Sequence, residues 1–355
     1  MDGVDAAVLV SDGMHELETG ATYFKAYDES IRSAIKAAIK VAPSLDDRAA
    51  RPDVLAKAEH LITQAHISAV QALLEKAGLR AADIDVIGFH GQTVLHAPQR
   101  GLTIQIGDGA ALANATGIDV VCDFRAQDMA AGGEGAPLAP IYHQALVAQI
   151  PDRPVVMVNI GGVGNVTWID TGNEMLAFDT GPGNALIDDW MQAKAGRPHD
   201  EGGAVAAKGN VNDAILAQLL DNPYFAQTPP KSLDRNAFSL SALANCGMQE
   251  GAATLTAFTV ASLERAHEHF SSQPKRWIIC GGGRKNQTMM AMLKARLPGE
   301  VIIAEKAGID GDFLEAQAFG YMAIRSLKNL PITYPGTTGV AQPQTGGVLH
   351  KAKRG

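Results

Sequence analysis

The sequence predicts an α/β protein of two domains, and three observations carry that prediction. Its 355 residues amount to about two domains at roughly 100–200 residues each. Short β-branched runs alternate with stretches whose apolar residues recur at three and four, the alternation that builds a sheet covered by helices. After Pro151-Asp152-Arg153-Pro154, the strongest boundary signal in the chain, the pattern starts again. The expected domains are therefore 1–150 and 151–355, two α/β units facing one cleft.

Composition removes other classes. With 46% apolar and 19% charged residues the chain is neither disordered nor coiled-coil, and no stretch is long and apolar enough to span a bilayer. Thirty basic against thirty-eight acidic side chains leave a net charge of −8, which argues against nucleic acid or an anionic membrane as the main partner and for a small ligand. Cys122, Cys246 and Cys280 lie far apart without a CxxC pair, which points to a reducing compartment. Residues 1–6 carry no basic or apolar leader, so the expected location is the cytoplasm.

Taken in order, residues 4–10 read as a buried strand closed by a turn at Ser11-Asp12-Gly13. Residues 29–41 and 54–77 read as amphipathic helices joined by a polar, Pro-containing segment. A strand at 84–89 delivers His90-Gly91-Gln92-Thr93 to its carboxyl end. A strand at 102–106, a helix at 110–116 and a strand at 119–122 follow, the last ending in Asp123-Phe124-Arg125. After the glycine-rich 131–135 comes a helix at 140–149. The second half opens with strands at 155–160 and 165–169 joined through Gly161-Gly162, a hairpin by its spacing. A strand at 175–178 enters Asp179-Thr180-Gly181-Pro182-Gly183-Asn184, which opens a helix to 195. Helices at 211–220 and 250–269, a strand at 276–280, Gly281-Gly282-Gly283, a helix from 286, a strand at 300–303 and a long helix at 313–327 complete the reading. The polar clusters fall beyond the carboxyl ends of strands, where ligands bind in such sheets.

Glycine, 37 of 355 residues, is concentrated there. Asp2-Gly3, Gly161-Gly162 with Asn165, and Gly281-Gly282-Gly283 each suit phosphate, because glycine lets backbone N–H groups approach its oxygens. None has the GxxxxGK[ST] or GxGxxG spacing, and each alone also reads as a tight structural turn. Asp179 is placed to accept a proton from an attacking oxygen, or else to cap a helix or turn. Glu315 and Asp312 suit the dipole of the 313–327 helix. His90 and His96 lack the i, i+4 spacing of a zinc pair and, with Gln92 and Thr93, suit hydrogen bonding to a polyhydroxylated ligand. Asp123 and Arg125 read equally as a carboxylate-binding pair or a structural ion pair. His267 and His269 read as a solvated helix face.

The segments Asp2-Gly3-Val4-Asp5, His90-Gly91-Gln92-Thr93-Val94-Leu95-His96, Asp123-Phe124-Arg125, Gly132-Gly133-Glu134-Gly135-Ala136-Pro137-Leu138, Asn159-Ile160-Gly161-Gly162-Val163, Phe178-Asp179-Thr180-Gly181-Pro182-Gly183-Asn184 and Cys280-Gly281-Gly282-Gly283, in this order, resemble the anhydro-N-acetylmuramic acid kinase family. Pro230-Lys231-Ser232, 310–319 and Thr337-Thr338-Gly339-Val340 extend the likeness over essentially the whole chain. The resemblance implies two ribonuclease-H-like domains of the actin/hexokinase/Hsp70 type. It implies a cytoplasmic enzyme of cell-wall recycling that takes 1,6-anhydro-N-acetylmuramate, ATP and water to N-acetylmuramate 6-phosphate and ADP, with Mg²⁺, as a homodimer.

It further implies Asp179 as the base that activates water, with Glu315 assisting. His90, Gln92, Thr93, Arg125 and Asn184 would contact the sugar. Asp2, Gly3, Val4 and Asp5, Gly161, Gly162 and Asn165, and Gly281, Gly282 and Gly283 would hold ATP, with Asp5 at the metal. The family's first phosphate loop usually reads Gly-Thr-Ser-x-Asp-Gly-x-Asp after a short strand, and this chain opens at x-Asp-Gly. The expectation is a chain short by one strand and half a loop, roughly 10–20 residues, through an upstream start codon. The alternative is a sugar- or nucleotide-binding relic without turnover. Glu134 stands for glutamine, Gly164 for alanine and Leu233-Asp234 for Thr-Gly, the last a change expected to alter its loop.

Overall fold

A computed structural model describes residues 3–234 and 237–353. In chain order the elements are β1 (Gly3–Ser11), β2 (Leu17–Ala26), α1 (Glu29–Val41), α2 (Asp53–Ala77), β3 (Ile87–Phe89), β4 (Gln92–Ala97), β5 (Leu102–Ile106), α3 (Gly109–Thr116), β6 (Val120–Cys122), α4 (Ala126–Ala130) and α5 (Pro140–Val147). They continue with β7 (Val155–Ile160), β8 (Val163–Ile169), β9 (Met175–Pro182), α6 (Ala185–Ala195), α7 (Asp213–Leu220), α8 (Met248–Arg265), β10 (Arg276–Cys280), α9 (Gln287–Arg296), β11 (Glu300–Ile303), α10 (Leu314–Leu327), α11 (Pro335–Thr338) and β12 (Val348–His350). No helix among the described residues is long and apolar enough to cross a membrane.

The chain divides into two compact units, Met1–Leu146 with Phe313–Gly355, and Val147–Asp312. The expected boundary at 150 lies within a few residues of the observed one. The expectation that the second domain runs to 355 is corrected, since from Phe313 the chain returns to the first unit. The return is fixed by packing. A Cβ on Gly88 of β3 would stand 2.0 Å from the carbonyl oxygen of Phe319, so α10 rests its backbone directly on that strand. Gly320 faces Leu9 of β1, and β12 pairs antiparallel with β6.

In the second unit β7, β8 and β9 form an antiparallel meander, and β10 and β11 run parallel to β7 in the order β11-β10-β7-β8-β9. This is the ribonuclease-H-like strand order. Val155, Val156, Met157 and Val158, and Trp277, Ile278 and Ile279, are buried without alternation, because helices cover both faces. Residues 251–263 of α8 are buried throughout, and Gly251 admits the Trp190 ring: a Cβ there would lie 2.2 Å from it.

The first unit holds the hairpins β1–β2 and β4–β5 and a sheet in which β3 and β6 are parallel. Helices α1 and α2 cover the hairpins through Ile35, Ala38, Leu55 and Ile62 against Val4, Val94, Ile104 and Ile106. Asp28 caps α1 through the Ile31 amide at 2.9 Å, and Gly78 ends α2 in the left-handed region. Among the described residues β1 pairs with β2 alone and β3 with β6 alone, while α10 packs on both β1 and β3.

Candidate active site

In the second unit, two glycine clusters leave one end of the sheet side by side. They follow β7 and β10, adjacent parallel strands in which Asn159 is level with Cys280. Asn184, expected at the sugar, is built into these loops. Its Nδ2 donates to the Ile160 carbonyl at 3.0 Å, and its backbone N–H donates to that of Gly161 at 2.7 Å. Arg284 braces the second loop from below, donating to the Gly281 carbonyl at 2.8 Å while pairing with Glu305 and Asp312. Asp312 thus serves this ion-pair cluster, with Lys285 at 3.1 Å, rather than the dipole of α10.

Packing separates the glycines into two kinds. A Cβ on Gly183 would stand 2.3 Å from the Gly161 carbonyl; one on Gly281 (φ 71°) or Gly283 would be 2.4 Å from Asn159 or Ile160. The fold itself demands those three. On Gly161, Gly162 and Gly282 a Cβ would meet nothing nearer than 3.6 Å. These three keep a surface clear that the chain does not itself fill, as a cradle for phosphate oxygens requires. Gly162→Ala is therefore expected to leave the thermal midpoint nearly unchanged while raising the KM for ATP about tenfold or more. Gly183→Ala is expected to destabilise the fold. Scanning calorimetry and ADP-release kinetics check the contrast, and an unchanged KM in Gly162→Ala contradicts it.

Asp179 lies inside β9, which runs on to Pro182, instead of ending the strand. Gly164 faces Gly181 while Asn165 faces Asp179, so Thr180 is the extra residue of a bulge, a device that re-aims neighbouring side chains. Asn159, Asn165 and Asp179 stand level on adjacent strands, each partly exposed where most of the strand residues around them are buried. The Asp179 carboxylate accepts the Leu233 N–H at 2.8 Å. The segment of the Leu233-Asp234 departure thus touches this group through its backbone. The helix-cap reading of Asp179 fails, since α6 begins at Ala185 behind Asn184. His269, expected on a solvated face, packs edge-on against Phe178 at 5.4 Å.

In the first unit the sugar-contact candidates gather around Arg125. Its Nη1 donates to the Gly135 carbonyl at 2.7 Å and its Nη2 to His90 Nε2 at 3.1 Å. A guanidinium has no acceptor, so Nε2 of His90 is the acceptor. The His90 ring stacks on Phe319, with centroids 4.5 Å apart, and burial, reinforced by the Arg125 charge, pushes its pKa down to about 3. His90 is a neutral support for Arg125. Gln92 donates to the Thr93 carbonyl at 3.1 Å, and Gln105 donates to the hydroxyls of Thr93 and Thr103. Among the described residues Arg125 Nε and His96 Nε2 are buried without a hydrogen-bond partner, so the cluster has polar capacity that the described chain leaves unused. Glu315, exposed in the first turn of α10, and Asp128 set negative charge toward Arg125. Asp123 instead pairs with Arg48.

Asp128 is the residue that sequence reading missed. Fully buried, its carboxylate accepts the Gly135 N–H at 2.7 Å and the hydroxyls of Thr338, at 2.7 Å, and Thr333. It fastens the loop that fastens Arg125. Of the first phosphate-loop candidates, Asp2 lies outside the described residues. Gly3 and Val4 are part of β1, with Val4 in the core, and Asp5 is exposed on that strand. Among the described residues no three His, Cys, Asp or Glu side chains group as a metal site.

Paired glycine loops open at one end of a sheet, with a carboxylate on that sheet, suit a nucleotide-dependent kinase, and the family match gives that class. The particular family follows from the sequence: the chain belongs to the anhydro-N-acetylmuramic acid kinase family, whose model matches residues 1–352. It is 49% identical over 360 residues to an anhydro-N-acetylmuramic acid kinase of Methylorubrum extorquens, covering 98% of this chain and 96% of the relative. It is 49% identical over 355 residues to one of Azorhizobium caulinodans, with the same coverage of each chain. Likeness over that share of both chains sets the relic reading aside. Among solved structures, component A of the (R)-2-hydroxyglutaryl-CoA dehydratase of Acidaminococcus fermentans is 12% identical, at a TM-score of 0.44 over 90% of this chain and 99% of that one. That distant likeness adds nothing to the family assignment.

Proposed function

We propose that the protein converts 1,6-anhydro-N-acetylmuramate, ATP and water into N-acetylmuramate 6-phosphate and ADP, in cytoplasmic recycling of peptidoglycan. The observation that carries this reading is the Asp179 carboxylate, in one row with Asn165 and Asn159 and on the same sheet as the open glycine loops. In a chain of this family it suits general-base catalysis at an attacking water.

Asp179 takes a proton from water as the water oxygen bonds to the anomeric carbon. The bond from that carbon to the bridging oxygen breaks, and the released O6 attacks the γ-phosphorus while ADP leaves. Glu315 assists at the sugar. Arg125, backed by His90 and flanked by Gln92 and Thr93, holds the sugar's carboxylate and hydroxyl groups. Gly161, Gly162 and Gly282 present the cradle that a Cβ would fill, so these residues fit a polyphosphate; Gly281, Gly283 and Asn184 keep it in shape. Asp5 is the carboxylate proposed for Mg²⁺, an ion commonly held by one or two carboxylates together with substrate phosphates and supplying charge neutralisation on their oxygens. A homodimer belongs to the same reading.

The test is ADP release from ATP with Mg²⁺ and a panel of sugars. Release driven by 1,6-anhydro-N-acetylmuramate, and far less by sugars with a free 6-hydroxyl and no anhydro bridge, is the expected result. Equal rates with ordinary hydroxyl sugars overturn the reading, since an ordinary kinase has no need of a water-activating base.

A further inference from the structure

Behind Asp179 lies a closed ring of contacts that none of the assigned roles uses. The backbone N–H of Asp179 donates to the carbonyl of Lys231 at 3.0 Å. Its backbone carbonyl accepts the Tyr224 hydroxyl at 2.5 Å, and the Lys231 ammonium donates to the Tyr224 carbonyl at 3.2 Å. Each of the three residues holds the next.

Lys231 is only 8% exposed, and its Nζ lies 4.8 Å from the ring centroid of Tyr224 and 5.8 Å from that of Phe178. Sealing a long, hydrated cation costs rotamer freedom and desolvation, so its place against two ring faces and a carbonyl calls for a compensating role. Burial works against its charge and Glu268 works for it. The ring supplies that role, because it clamps the peptide groups on both sides of the Asp179 Cα and so fixes the direction in which the side chain leaves the strand. The Leu233 N–H then fixes one carboxylate oxygen.

We propose that Lys231 and Tyr224 are positioning residues for Asp179, holding its carboxylate at the angle that proton abstraction requires; this rests on Asp179 being the base. Small misplacements of a reacting group cost up to about 10²-fold in rate. Tyr224→Phe, which keeps the ring and removes the hydroxyl, is expected to lower kcat roughly tenfold while leaving both KM values within about twofold. Lys231→Met is expected to do the same, and Lys231→Arg to restore part of the loss.

The deciding readout is the double variant. A residue that acts through Asp179 loses its effect once Asp179 is Asn, so Tyr224→Phe should not lower the residual rate of Asp179→Asn any further. An unchanged kcat in Tyr224→Phe overturns the proposal. The same tenfold loss persisting in the Asp179→Asn background also overturns it, as the effect is then merely structural. A fully active Asp179→Asn protein removes the base itself, whereas an inactive Asp179→Asn beside a fully active Tyr224→Phe removes only the positioning role. Tyr224→Phe keeps the packing of its ring, so the test survives even if Lys231→Met fails to fold.

Discussion

Asp179→Asn is expected to lower sugar-dependent ADP release by about 10²–10⁴-fold, the usual contribution of a positioned general base. Asparagine has nearly the shape of aspartate and retains a carbonyl oxygen for the Leu233 N–H. The strand pairing around Asn165 and the bulge at Thr180 rest on the backbone, so the thermal midpoint should stay within a few degrees. Calorimetry should still register sugar binding, because the Arg125 cluster is untouched. Loss of turnover with retained fold and retained binding is what separates a base from a structural aspartate. A variant that releases ADP at the normal rate contradicts the assignment.

The second large effect belongs to Asp128. Asp128→Ala removes the one carboxylate that accepts from Gly135, Thr338 and Thr333, and it also takes away one of the two negative charges set toward Arg125. Buried donors left without acceptors and a half-buried cation left short of counter-charge together cost about 3–5 kcal/mol. For a unit of this size that lowers the thermal midpoint by roughly 10 °C or more. Asp128→Asn should fall between, since its amide must face one of those donors with a donor of its own. In any Asp128 variant that folds, the Gly135 carbonyl loses its anchor, so sugar KM should rise with kcat less affected. A thermal midpoint equal to that of the parent protein contradicts this account of the loop.

Much of this was legible in the residues because it is local. The amphipathic spacing of α1, the β-branched run of β7 and the glycines after β7 and β10 declare themselves within a few positions. Strand β2 did not, because none of its residues is fully buried and its Gly20 breaks any alternation. Strand β4, with its polar Gln92-Thr93, reads as the loop that the same residue types would make elsewhere. Nor could the partnership of α10 be read from its own helical pattern. It depends on the missing side chain of Gly88, more than two hundred residues earlier in the chain.

The site divides in the same way. Asp179 and the glycines stood out by their neighbours in sequence, whereas Asp128 acts through Thr333 and Thr338, 205 and 210 positions away. Asn159 passes for a strand residue until the register sets it level with Asn165 and Asp179. Asn184, expected at the sugar, is tied into the glycine loops by contacts that its neighbours in sequence do not announce. Its carboxamide turns back to Ile160, 24 positions earlier, a choice that only the closing of the β7–β8 hairpin makes available.

The proposed reaction couples opening of an anhydro bridge by water, through one carboxylate, to transfer of a phosphoryl group. Mass analysis of the sugar product formed from 1,6-anhydro-N-acetylmuramate and ATP in H₂¹⁸O tests it most directly. Each ADP is expected to be matched by one sugar that has gained one phosphoryl group and one water, with the ¹⁸O on the anomeric carbon and none in the phosphate. A phosphorylated sugar that has gained no water, or ¹⁸O found in the phosphate, would contradict it.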